Sequence, residues 1–185
     1  MTYSIQDFGL QHVNEPLPVF TNMIKNHIKL NECLKQVIID YRERYPQTSN
    51  TNVKAWHSKW TTHLQTNKFQ PLINEVINAC SFISKEYYRC GNVEFNVIDL
   101  WAIMYEQSDY TVKHHHFPNQ FAACYYVDVE DDCSPIVFGG TLTITPKSGM
   151  LIIWPGLLHH EVPPTNSRRT VIGMNILNKF KMNYE

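Results

Sequence analysis

No stretch of this 185-residue chain approaches the roughly 20 consecutive apolar residues that a membrane-spanning helix requires, so no membrane partner is expected. No charged-then-apolar segment opens the sequence, and a secretory signal is therefore not expected either. Cys-x-x-Cys pairs are absent, and the five cysteines, Cys33, Cys80, Cys90, Cys124 and Cys133, are odd in number. They read as small hydrophobes in a reduced, cytoplasmic compartment rather than as a disulfide framework. There is no long Lys/Arg run and the formal net charge is -1, so a nucleic-acid partner is not indicated. Low-complexity blocks and internal repeats are also missing, which argues against disorder and against a solenoid.

What is present suffices for a core. Hydrophobic residues make up 43% of the chain, enough for residues 1–185 to form a single domain. The first part, 1–91, reads as largely helical. In "NMIKNHIKLNECLKQVIIDYRERYP", Ile24, Ile28, Leu34, Ile38 and Tyr41 recur with helical spacing, and Pro46 stops the pattern. "FQPLINEVINACSFISKEYYRCG" repeats it, with Pro71 near the start and Gly91 past the end. The polar segment between them, "QTSNTNVKAWHSKWTTHLQTN", reads as an ordered loop with a short helix.

From about residue 92 to 180 the pattern changes to short β-branched and aromatic runs separated by Gly, Pro, Asp or Ser. "VEFNVIDLWAIMYE", "QFAACYYVDV", "GGTLTITP", "MLIIWP", "HHEVPP" and "RTVIGMNIL" are the candidates. Strands at this spacing predict a sandwich or barrel. Helices followed by strands predict an α+β, mainly β fold, with the N-terminal helices packed on one sheet.

Five of the nine histidines fall in two clusters, "KHHHFPNQFAACYYV" and "IIWPGLLHHEVPP". On an extended segment His114 and His116 point to one face and His115 to the other. An H-x-H pair can thus offer two imidazoles to one ion. His159 and His160 lie on opposite faces, so one of them can complete the set. Three imidazoles on one side of an ion leave positions open for other ligands. Tyr125 and Tyr126 also alternate, and the sequence leaves open which of them faces inward. Trp56, Trp60, Trp101 and Trp154 read as core residues in preference to a substrate platform.

From about Trp101 to Asn175 the chain resembles the iron(II)- and 2-oxoglutarate-dependent oxygenases, particularly their phage and marine-bacterial branch, and prolyl-hydroxylase-like members. The first matching stretch is "WAIMYEQSDYTVKHHHFPNQFAACYYV", with H-x-H at the ligand position and Tyr105 nine residues before His114. The second is "GGTLTITPKSGMLIIWPGLLHHEVPP", where Pro146 and Gly149 match the turn, Trp154-Pro155 the aromatic-Pro pair, and His160 the ligand histidine. The third is "RRTVIGMN", with Arg169 and the terminal Asn175. "SNTNVKAWHSKW" also resembles an upstream stretch of that branch. The resemblance implies a double-stranded β-helix of the jelly-roll or cupin type. It implies Fe(II) held by His114, His116 and His160, and 2-oxoglutarate held by Arg169 and Tyr105. The implied activity is dioxygenase chemistry, a hydroxylation, on a small-molecule or peptide substrate.

A guanidinium grips a carboxylate bidentately, which suits an arginine to the far end of 2-oxoglutarate. On a regular strand Arg169, Val171, Gly173 and Asn175 share a face, and Gly173 there would leave room for a ligand. A shift of one residue would promote Arg168 instead. The usual ligand set has one carboxylate, and here that position is His116. The change leaves the site one charge more positive and is expected to raise the metal's reduction potential. Glu106 and Asp109 are near enough in sequence to supply the missing charge. Two other readings compete. A cupin-like metal protein without 2-oxoglutarate would promote His159 and leave Arg169 in solvent. A non-catalytic barrel module would use the histidines for structural metal or for none.

Overall fold

The computed structural model describes residues 16–47, 51–91 and 93–179. Two helices, His27–Arg44 (α1) and Gln70–Glu86 (α2), occupy the first half. Leu34, Val37, Ile38 and Tyr41 form the buried stripe of α1. Ile24 is buried but precedes the helix, and Ile28 is 67% exposed, so the stripe begins a turn later than the spacing of apolar residues predicts. Pro71 lies in the first turn of α2, where a missing N–H costs nothing.

The first half also contributes three strands that the sequence pattern does not reveal, Phe20–Met23 (β1), Val53–Lys54 (β2) and Trp56–His57 (β3). Periodicity cannot register two-residue strands, and the neighbours they pair with lie far along the chain. The segment expected as a loop with a short helix therefore carries β2 and β3 before its short 3-10 turns at Thr62–Gln65 and Asn67–Phe69.

The second half is strands: six of its eight follow the runs read from sequence, and Tyr110–His114 and Ile136–Phe138 are additional. The eight are Phe95–Tyr105 (β4), Tyr110–His114 (β5), Phe121–Val129 (β6), Ile136–Phe138 (β7), Leu142–Ile144 (β8), Met150–Pro155 (β9), His160–Val162 (β10) and Arg169–Asn178 (β11). Two antiparallel sheets result, β1-β9-β6-β11-β4-β3 and β2-β5-β10-β7-β8. Apart from the β7–β8 hairpin, successive strands from β4 onward alternate between them: β4, β6, β9 and β11 in one, β5, β7 and β10 in the other. This is the winding of a double-stranded β-helix, as expected.

The six-stranded sheet is buried on both faces, and its strands alternate accordingly. Leu100, Ala102, Ala123, Tyr125, Leu151, Ile153, Ile172 and Met174 face the helices, with α2 over β4 and α1 over β6. Trp101, Ile103, Tyr105, Cys124, Tyr126, Ile152, Trp154 and Val171 face the other sheet. Tyr126 is thus the inward tyrosine. Tyr125 points to the helices, where its hydroxyl donates to Asn31 Oδ1. The helices support the sheet from behind, and the barrel interior is left for the site.

Candidate metal centre and the cavities beside it

His114 ends β5 and His160 begins β10, and the two are direct cross-strand partners. That pairing brings their rings to 4.3 Å between centroids. His116 lies two residues further on, where the chain turns. Its N–H donates to Gly156 O at 2.6 Å, and the Gly156 N–H donates to Gln120 O at 3.0 Å. Any Cβ at Gly156 would lie 2.0 Å from the Asn119 carbonyl oxygen, so only glycine permits this approach. The His116 ring sits 5.1 Å from His114 and 5.0 Å from His160, nearly parallel to the latter. One nitrogen from each of the three rings lies within 4.8 Å of the others.

The three rings are held in the form that a metal ligand needs. Burial, reinforced by repulsion from His114, pushes the His116 pKa down to about 4. His160 is held well below the usual range by burial and then by His114 and His116. His114 is lowered, again mainly by burial. All three are therefore neutral at pH 7, the form that binds metal. His114 Nδ1 donates to Val112 O at 2.8 Å, which leaves Nε2 with its lone pair free. His160 Nδ1 is buried with no hydrogen-bond partner. Trp101 stacks on His116 at 5.9 Å and Trp154 packs edge-on against His160 at 4.8 Å.

The other histidines of the two clusters face outward. His115 and His159 are exposed and meet edge to face at 4.9 Å. The arginines separate just as cleanly. Arg169 is 2% exposed, and its Nη1 donates to Ser134 O at 2.6 Å. Its guanidinium lies 4.4 Å over the Tyr105 ring, its partner across the β4–β11 ladder. Arg168 points out and pairs with Glu106 at 2.7 Å. Glu106 also pairs with Arg42, and Asp109 accepts the Glu106 N–H. Neither acid supplies charge to the histidines, because both serve the opposite end of β4.

Two cavities meet at the triad. The inner one is narrow and runs between the sheets past His114, His116, His160, Trp154, Tyr126, Tyr105 and Arg169. The outer one, about 630 Å³, opens beside His114 and His116 and is walled by His57, Trp60, Trp101, Lys54, Phe117 and Asn175. Of seven buried polar side-chain atoms without partners among the described residues, five belong to residues lining these cavities: His57 Nε2, Trp154 Nε1, His160 Nδ1, Arg169 Nε and Asn175 Oδ1. An unsatisfied buried polar atom costs about 1–3 kcal/mol, so their concentration here marks a place built for a ligand.

The same fold recurs in solved structures. The fold is that of the iron(II)- and 2-oxoglutarate-dependent oxygenases. A prolyl-4-hydroxylase from Pseudomonas putida superposes with a TM-score of 0.63 at 13% identity, over 88% of this chain and 93% of that one. The viral collagen prolyl hydroxylase of Paramecium bursaria Chlorella virus-1, in a 2-oxoglutarate complex, gives 0.57 at 17% identity over 84% and 94%. The non-heme α-ketoglutarate-dependent epimerase of nogalamycin biosynthesis gives 0.66 at 12% identity over 86% and 77%. No protein-family model matches the sequence, and no curated protein matches it significantly.

Within this oxygenase fold, several residues at the site are not singled out by the motifs. Trp101 shares a face with Tyr105 by simple alternation, so its place against His116 was readable from β4. Gly173 is corrected: a Cβ there would lie 2.5 Å from the Trp101 ring, so its smallness admits the indole rather than a ligand. Trp60, expected in the core, is 41% exposed and stands at the outer cavity, 4.4 Å from Trp101. His57 and Asp99 carry no local signal, because strand pairing brings them here, and Ser134 is placed by the loop before β7, where its hydroxyl donates to Pro164 O.

Proposed function

We propose that this chain is an iron(II)- and 2-oxoglutarate-dependent dioxygenase that hydroxylates a substrate entering through the outer cavity. His114, His116 and His160 would hold the iron. Arg169 would grip the remote carboxylate of 2-oxoglutarate, with Tyr105 setting the position of the guanidinium. Bound together, iron and 2-oxoglutarate supply the oxidising power needed to insert oxygen from dioxygen into a C–H bond.

The observation that carries the reading is Arg169. A cation that is 2% exposed and has no acidic partner among the described residues is costly, unless an anion arrives to meet it. It faces the same inner cavity as the three histidines. A dicarboxylate that chelates a metal at one end and meets a guanidinium at the other answers both needs. The neutral-imidazole set suits a borderline metal such as Fe(II). The cupin-like alternative requires Arg169 in solvent and His159 as ligand, and neither geometry is present.

The chain's own residues then divide the work. The inner wall of Ile103, Ile136, Val162 and Val171 keeps water from the chelate. The outer wall orients the substrate. His57 Nδ1 donates to Ser58 O at 2.5 Å, which leaves Nε2 as a bare acceptor beside the outer cavity. Among the described residues no acidic side chain lines that cavity, while Lys54 does, which favours neutral or anionic substrates.

Anaerobic Fe(II) titration with and without 2-oxoglutarate tests the proposal, read by the weak visible charge-transfer band of the chelate. The band is expected in the native chain and in Arg168→Ala, and is expected to vanish in Arg169→Ala. Stoichiometric iron binding with no band at saturating 2-oxoglutarate would leave a metal protein of another kind.

A further inference from the structure

A metal centre of three neutral imidazoles lacks the negative charge that a carboxylate ligand would bring. The inner face of the β4–β11 ladder shows where a substitute lies. From one end it reads Tyr105 opposite Arg169, Ile103 opposite Val171, Trp101 opposite Gly173, and Asp99 opposite Asn175. His116 stacks on Trp101, one pair before the last. The ladder thus delivers Asp99 and Asn175 to the histidine end of the site, and Asn175 lines the outer cavity together with His116.

The amide of Asn175 is oriented by its neighbour. Asn175 Nδ2 donates to Asp99 Oδ2 at 2.9 Å, so Oδ1 must face the other way. That oxygen is buried in a residue only 5% exposed, and it has no hydrogen-bond partner among the described residues. It belongs to the same cavity wall as the His116 ring. The other strand acids are placed elsewhere. Asp128 pairs with Lys35, and Glu161 alternates away from His160. On its far side the Asp99 charge is felt by His63, which burial keeps below its ordinary pKa.

We infer that Asp99, relayed through the Asn175 amide, is the counter-charge for the three-histidine centre and fixes the His116 ring for metal binding. The inference rests on the reading that the triad holds iron. Once one His116 nitrogen binds a metal, the other must carry hydrogen, and Asn175 Oδ1 is its acceptor. The chain carboxylate–amide–imidazole polarises along its length, which makes the imidazole a stronger donor. Asp99 and Asn175 are positioning residues, since neither touches the metal.

The test compares the native chain with Asp99→Asn and with the exchanged double variant Asp99→Asn/Asn175→Asp, all nearly isosteric. Fe(II) affinity and the Fe(III)/Fe(II) potential are measured in each, with thermal unfolding as the check of folding. Asp99→Asn is expected to weaken Fe(II) binding roughly 10- to 100-fold. It is also expected to disfavour Fe(III) relative to Fe(II) by about tenfold, an upward shift of about 59 mV for one electron. The exchanged variant returns the carboxylate and should restore the potential to the native value or below it. Unchanged affinity and potential in Asp99→Asn would overturn the inference, as would equal impairment of the single and exchanged variants. A native chain that binds no iron would instead overturn the functional reading on which it rests.

Discussion

His114, His116 and His160 are kept neutral by burial and by one another, and this shapes how metal uptake depends on acidity. An ordinary imidazole, with pKa near 6.5, loses about tenfold in metal affinity on going to pH 5.5, so three would lose about a thousandfold. Here burial pushes His116 down to about 4 and holds His160 well below its ordinary value, so protons compete little at those two rings at pH 5.5. Only His114, lowered but half-buried, can contribute. Zn(II) affinity measured by calorimetry at pH 7.5 and 5.5 should therefore fall by no more than roughly tenfold. A thousandfold fall would mean that the rings are solvated and unprepared. At this scale much was legible. His114 and His116 come together as H-x-H spacing predicts, although β5 ends at His114 and the turn at Gly156 places His116. The choice of Arg169 over Arg168 and of His160 over His159 was open, because a shift of one residue reverses every side chain.

Among the elements, α2 and the barrel interior make separate demands on the six-stranded sheet. Leu72 and Val76, both fully buried, press against the sheet from the helix side, while Trp101, Tyr126 and Trp154 press from the other. Leu72→Ala should cost about 2–5 kcal/mol of stability by leaving a cavity, and should leave metal affinity of the folded chain unchanged. Urea unfolding and Zn(II) titration of the same variant check both halves. Gly156→Ala should affect both. Its new methyl would collide with the Asn119 carbonyl, force apart the turn that carries His116, and weaken metal binding together with a stability loss of about 1–3 kcal/mol. Retained native affinity in Gly156→Ala would show that this contact does not position the ligand. The long strands and both helices could be read from periodicity. The strands β1, β2 and β3 could not, being too short to carry a period and defined only by the partners that complete their ladders.

At the scale of the whole molecule, the three histidines come from segments more than forty residues apart, so any metal that binds them ties β5 to β10 in the folded state alone. Saturation at a hundred times Kd should add about 2.7 kcal/mol, because an unfolded chain offers no such site. For a chain of this length that is a rise in Tm of roughly 5–10 °C. Scanning calorimetry with and without Zn(II) should show it in the native chain and not in His160→Ala. By itself the sequence determined that the chain folds as helices followed by strands, that H-x-H would present two imidazoles together, and that residues 159 and 160 would offer a third. Those conclusions rest on short-range stereochemistry, the repeat of 3.6 for a helix and 2 for a strand. Only the tertiary structure decided which third histidine joins, which arginine is buried, and that Asp99 and Asn175 lie at the histidine end. These depend on inter-strand register, and register is set by how the two faces of each sheet are buried, a property of the closed barrel that no single stretch of sequence contains.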